Sequence, residues 1–138
     1  MDSEVPEQCY RRRNLLQQYN PGQAKLVRVS QGRIFDVAVD IRPDSETFGH
    51  WEGVELDADG HRQLFVPVGF AHGFCVLSDH ADVQYKLSAP YDPATEAGFR
   101  WNDPEIGIDW PVTAPVLSAR DLQSESFAAL RERLGAVS

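Results

Sequence analysis

Cysteine is scarce in this chain. Only Cys9 and Cys75 occur in 138 residues, and they fit neither a disulfide framework nor a zinc-ligand spacing. Cys75 lies in the apolar run Phe74–Leu77 and reads as a small core residue, whereas Cys9 sits in a polar leader. Positive charge is short as well: 13 Lys and Arg against 21 Asp and Glu give a net charge of −8 and a pI near 4.8. Binding a phosphate backbone demands a basic face, so nucleic acid is excluded as a bulk electrostatic partner. A small anionic ligand is not, because a few cations can converge in one pocket of an acidic protein. No apolar run is long enough to span a bilayer and no signal peptide is evident, so the expectation is a soluble, cytoplasmic protein without a membrane partner. Internal repeats and low-complexity segments are also missing.

What is present reads as one domain, large enough to bury roughly two-thirds of its unfolded surface. Residues 1–23 show no strand alternation and only the short apolar patch Leu15–Leu16. They are expected to form a divergent, partly disordered leader. From residue 24 the text turns β-rich. Lys25–Val29 and Arg33–Ile41 flank Ser30-Gln31-Gly32, and Trp51–Leu56 and Gln63–Val66 flank Ala58-Asp59-Gly60; both turns predict hairpins. Within Arg33–Ile41, Ile34, Asp36, Ala38 and Asp40 share one face, so that face carries acids while Phe35, Val37, Val39 and Ile41 make an apolar one. Pro67–Lys86 follows, with a Pro-x-Gly turn, His72, and an alternating run through Tyr85; His72 and Tyr85 are expected on neighbouring strands joined by Ser78–Ala81. Residues 89–109 are rich in loops. Ser118 is expected to cap a helix carrying Leu122, Phe127, Leu130 and Leu134. Short strands with Gly and Pro turns, then one terminal helix, predict an antiparallel β-barrel or jelly roll.

The four histidines, His50, His61, His72 and His80, include no His-x-His pair, so no metal site is expected. His61 and His80 fall in turns and read as solvated. His72 follows the Pro-x-Gly turn between Phe70 and Phe74, and can be either a buried histidine satisfied by backbone or a donor facing a cavity. Tyr85 is an ordinary strand residue unless a neighbour draws its phenol toward proton transfer. Lys25, Arg100 and Arg120 can clamp a phosphate or simply mark a solvated face.

Three long stretches settle on a family. KLVRVSQGRIFDVAVDIRPDSETFGHWEGVEL, RQLFVPVGFAHGFCVLSDHADVQYK and EAGFRWNDPEIGIDWP resemble the dTDP-4-dehydrorhamnose 3,5-epimerases, sugar-nucleotide epimerases of the cupin superfamily, over about Gln23–Asp121. The Pro67-x-Gly69-x-x-His72 element is also similar to a general cupin signature. The resemblance implies a mainly β, cupin-type antiparallel jelly roll over residues 24–138 with a C-terminal helix from about residue 118. It also implies a homodimer, and no metal or other cofactor. The implied substrate is a dTDP-linked 4-keto-6-deoxyhexose, dTDP-4-dehydro-6-deoxy-glucose, epimerised at C3 and C5 in dTDP-L-rhamnose and cell-wall polysaccharide synthesis. The C4 ketone acidifies its neighbours, a base removes a proton to form an enolate, and an acid returns one from the opposite face.

By the same resemblance, Tyr85 is the proton donor, and Lys25 and His72 contact substrate. Tyr91 stacks on the thymine, Glu96 and Arg120 contact the nucleotide sugar, and Asp121 orients the catalytic histidine. The family's Arg-Gly-Leu-His-Tyr-Gln motif, which supplies the base, is matched by Arg13-Asn14-Leu15-Leu16-Gln17-Gln18. Leu16 occupies the histidine's place, one residue nearer Lys25 than in the family, and Arg13 keeps the motif's substrate-binding arginine. The expectation is an N-terminally truncated or divergent epimerase whose base is missing. The alternatives are a weak or inactive dTDP-sugar-binding cupin and a C5-only epimerase of a deoxysugar pathway.

Overall fold

The computed structural model describes residues 3–89 and 97–137. Nine strands make two sheets. The strands are β1 (Ser3–Arg11), β2 (Asn14–Gln18), β3 (Lys25–Gln31), β4 (Arg33–Asp40), β5 (Trp51–Asp57), β6 (Leu64–Val66), β7 (Phe70–Val76), β8 (His80–Leu87) and β9 (Val116–Leu117). One sheet runs β1-β8-β3-β6 and the other β5-β4-β7-β2-β9; every pairing is antiparallel except β2 with β9. The chain is mainly β, as the sequence predicts, with a helix at its end.

The turns behave differently from the sequence expectation. The two expected hairpins and the Ser78–Ala81 turn all join strands of opposite sheets: β3 to β4, β5 to β6, and β7 to β8. Only Gly32 separates β3 from β4, and one residue is too few for a hairpin loop. The register shifts between Val29 and Gln31, and Gly32 at φ +80° turns the chain into the other sheet. A β-carbon there would stand 2.1 Å from the His80 carbonyl oxygen, so the corner needs glycine. His72 and Tyr85 therefore face each other across the interior rather than along one sheet.

Two strands, β1 and β2, lie within residues 3–18, where the sequence shows no alternation. β1 pairs with β8 from Ser3↔Leu87 to Arg11↔His80, and β2 fits between β7 and β9. Leu15 in β2 is fully buried.

Two apolar layers result. Between the sheets, Val27, Val29 and Val83 pack against Ile34, Phe74 and Val76. On the outer face of the second sheet, Leu15, Val37, Val39 and Cys75 are covered by Phe99, Trp110, Phe127 and Leu130. Each such side chain contributes about 1.5–3 kcal/mol by leaving water. Burial pushes the Cys75 thiol up to about 11, so it is protonated at neutral pH, consistent with a core role. The helix expected from Ser118 is broken in two, α1 (Ala119–Leu122) and α2 (Phe127–Val137). Ser118 caps α1, the Asp103 carboxylate accepts the Phe127 N–H, and Ser126 caps α2. The break leaves Leu122 71% exposed while Phe127 and Leu130 stay in the core. No helix among the described residues is long and apolar enough to cross a membrane.

Candidate active site

The alternation that places acids on one face of β4 turns that face inward, so Asp36 is completely buried. On the neighbouring β7, Phe70, His72 and Phe74 project to the same interior, because alternate strand residues share a face. His72 Nε2 lies 2.6 Å from Asp36 Oδ1, with the imidazole 3% exposed. A carboxylate at Nε2 favours a proton on that nitrogen and leaves Nδ1 for the pocket. Among the described residues Asp36 Oδ2 is buried with no hydrogen-bond partner, and Oδ1 pairs with the imidazole. Asp36 has no assigned task in the sequence reading; its signal was the acid-bearing face of β4.

The opposing sheet supplies the other two groups. Tyr85 on β8 meets His72 edge to face, ring centroids 5.9 Å apart at 87°. Lys25, at the start of β3 and 5% exposed, holds its Nζ 5.7 Å from the Tyr85 ring centre. His72, Tyr85 and Lys25 thus come together from three strands and both sheets. Beside His72 and Tyr85 lies a recess of only about 10 Å³, walled by Leu16, Gln18, His72, Gly73, Phe74 and Tyr85; Lys25 is not among its walls.

Leu16 pairs with Phe74 and presents an aliphatic side chain to this recess. Asp121 lies close behind the same strand: it accepts the Ser118 hydroxyl at 2.7 Å and the Gln17 backbone N–H at a long 3.4 Å. It is buried and stands beside the residue that follows Leu16. Arg13 is not brought to the recess. It sits in the turn between β1 and β2 at φ +69°, exposed, donating to the Ala114 carbonyl at 3.2 Å, beyond the end of β2 opposite the Gln18–His72 pair. Arg120 falls on α1 beside Asp121. Its side chain lies outside the described residues, as do Tyr91 and Glu96. Among the described residues no His, Cys, Asp and Glu cluster could hold a metal ion.

Two mainly antiparallel sheets enclosing His72, Tyr85, Lys25 and Asp36 make a cupin-type jelly roll, and similar solved structures share that fold. One is the 4-keto-6-deoxy sugar epimerase NovW of Streptomyces spheroides, with TM-score 0.91 and 39% identity over 95% of this chain and 67% of that one. Another is the epimerase of Legionella pneumophila in complex with dTDP-4-keto-L-rhamnose, with TM-score 0.90 and 40% identity over 96% of this chain and 72% of that one. The family model for dTDP-4-dehydrorhamnose 3,5-epimerase matches residues 11–129, and the chain belongs to that family. It is 52% identical over 116 residues to the enzyme of that name from Shigella flexneri, covering 83% of this chain and 64% of the relative. It is 54% identical over 117 residues to the one from Neisseria gonorrhoeae, covering 84% and 36%. The chain therefore spans between about a third and two-thirds of the length of these curated relatives.

Proposed function

We propose that the chain binds a dTDP-linked 4-keto-6-deoxyhexose on the interior side of the sheets, against His72, Tyr85 and Lys25, and exchanges the protons on the carbons flanking the ketone. The observation that carries this reading is the convergence of His72, Tyr85 and Lys25 from three strands, with Tyr85 in contact with both of the others. Tyr85 is the proton donor, and with Leu16 in the place of the family's base the departing proton goes to His72 or to water. Lys25 supplies positive charge for the oxygen that becomes an enolate, where a fixed cation in a dry site acts strongly. His72 is a substrate contact held by Asp36. Asp121 supports β2 through the Gln17 N–H. Tyr91 stacks on the thymine, Glu96 and Arg120 contact the nucleotide sugar, and Arg13 contacts the ligand only if its guanidinium leaves Ala114. No cofactor takes part.

The test is deuterium incorporation at C3 and C5 of the substrate in heavy water, followed by NMR. Exchange at both positions is expected, and a rate no higher than in buffer would defeat the catalytic reading. Exchange at C5 alone would identify the single-carbon epimerase.

A second reading has its own observation. Leu16 offers no lone pair, and a missing general base lowers rates roughly 10²–10⁴-fold. On this reading the chain binds dTDP-sugars and turns over slowly or not at all. Calorimetry with dTDP and a dTDP-sugar separates the two, since binding without exchange supports the second. The homodimer belongs to the same proposal, and sedimentation equilibrium tests it.

A further inference from the structure

The register of the second sheet lines up one transverse row. Glu52 on β5 pairs with Ala38 on β4, Ala38 with His72 on β7, and His72 with Gln18 on β2. Directly paired residues project to the same face, so all four point to the interior side. With strands about 4.8 Å apart, the Glu52 and His72 backbones stand roughly 10 Å from each other. The only side chain between them is a methyl group.

Over Ala38 the sheet opens into a cleft of about 340 Å³, bounded by Phe70, Glu52, Asp40, Thr47, His50 and Trp51. That volume falls within the range of small-molecule sites, about 300–1,000 Å³. The cleft adjoins the recess at His72, because Ala38 is the cross-strand neighbour of His72 and Phe70 is two residues from it on the same face. Its wall is fixed in place. Arg42 lies 4.9 Å over the Phe70 ring, and its guanidinium is tied to both oxygens of Asp40. Ser45 and Thr47 also donate to Asp40, so that carboxylate is fully occupied. Glu52 is exposed and has no side-chain partner among the described residues. It is the acceptor left for a ligand.

An aromatic face beside a free carboxylate suits an uncharged, hydroxyl-bearing ring: C–H groups lie on the aromatic ring while hydroxyls donate to the carboxylate. The same carboxylate repels a diphosphate. Resting on the reading of the recess as a dTDP-hexose site, we propose that the cleft over Ala38 is a subsite for the hydroxyl edge of the hexose. Glu52 accepts a hydroxyl there and Phe70 forms the stacking face. The diphosphate then leaves toward the Gln18 side of the row.

Calorimetry with dTDP and dTDP-glucose on the whole chain tests this. In Glu52→Lys and Ala38→Leu, affinity for dTDP-glucose should fall roughly tenfold or more while that for dTDP stays within about twofold. Glu52 is exposed on an edge strand, so its variant keeps a folded control if the larger side chain at 38 disturbs packing. Equal losses for both ligands, or an unchanged ratio in Glu52→Lys, would overturn the subsite while leaving the recess reading intact. Failure of the unsubstituted chain to bind either ligand overturns the recess reading, and the subsite falls with it.

Discussion

Asp36 and His72 sit on adjacent strands, and Oδ1 of one lies 2.6 Å from Nε2 of the other in a setting closed to water. Removing the carboxylate strands a buried imidazole donor. The Asp36→Leu variant should therefore lose about 1–3 kcal/mol in urea unfolding. The double variant Asp36→Leu/His72→Leu should lose less than the sum of the singles, because the pair is then replaced as a unit. Strict additivity would show that the contact contributes nothing of its own.

Leu16 faces the recess that Tyr85 and His72 wall, and the Asp121 carboxylate contacts the next residue of its strand. Leu16→His is expected to raise deuterium exchange in the 4-keto-6-deoxyhexose by roughly 10²-fold or more. Adding Tyr85→Phe should reverse most of that gain while sugar-nucleotide affinity stays within about threefold. An exchange rate indifferent to both changes would dissociate the recess from the chemistry.

Asp40 gives a stability signature in acid. Burial pushes its carboxyl up, but hydrogen bonds from Arg42, Ser45 and Thr47 outweigh that and hold it well below the usual carboxylate range. A group depressed on folding stabilises fully above its unfolded value near 3.9, and that contribution fades as pH falls toward the folded one. The difference between the protein and Asp40→Asn should be flat from pH 5 to 8, about 1.5–3 kcal/mol, and should shrink below about pH 4. Denaturant titrations at several pH values read this directly. A difference that grows in acid contradicts the assignment.

Gly69 is held at φ +92°, and a β-carbon there would meet Arg42 Cγ at 2.5 Å. Gly69→Ala should destabilise by about 1–3 kcal/mol from the backbone alone. It should also move Arg42 off Phe70, so urea unfolding combined with dTDP-glucose affinity separates backbone strain from loss of the wall. No effect on either would mean the turn relaxes freely.

Much of the second sheet was legible because β4 alternates cleanly and β7 opens on a Pro-x-Gly turn. The partners of those strands were not, since a turn sequence records local bending and not which sheet receives the chain. Ser30-Gln31-Gly32 looks like a hairpin and acts as a corner. β2 escaped detection for a different reason: Asn14-Leu15-Leu16-Gln17-Gln18 carries leucine on both faces, one toward each apolar layer, so no period of two appears. Asp36 was visible as an acid on a strand, but its pairing with His72 depends on strands nearly forty residues apart. The interrupted helix reflects Asp103, a loop residue, capping Phe127 from outside the helical segment.

The three corners bear on how the chain reaches this arrangement. Among the described residues β4 and β5 are the only strands adjacent in both sequence and sheet, so the other ladders must wait for a longer loop to close. β8 is the extreme case: it meets β1 from the opposite end of the strand order, with Ser3 beside Leu87, and also pairs with β3. Such dependence on distant partners places folding in the millisecond-to-second range rather than the microsecond one. The recess, assembled from β2, β7, β8 and β3, then forms late, after the chain has committed to both sheets.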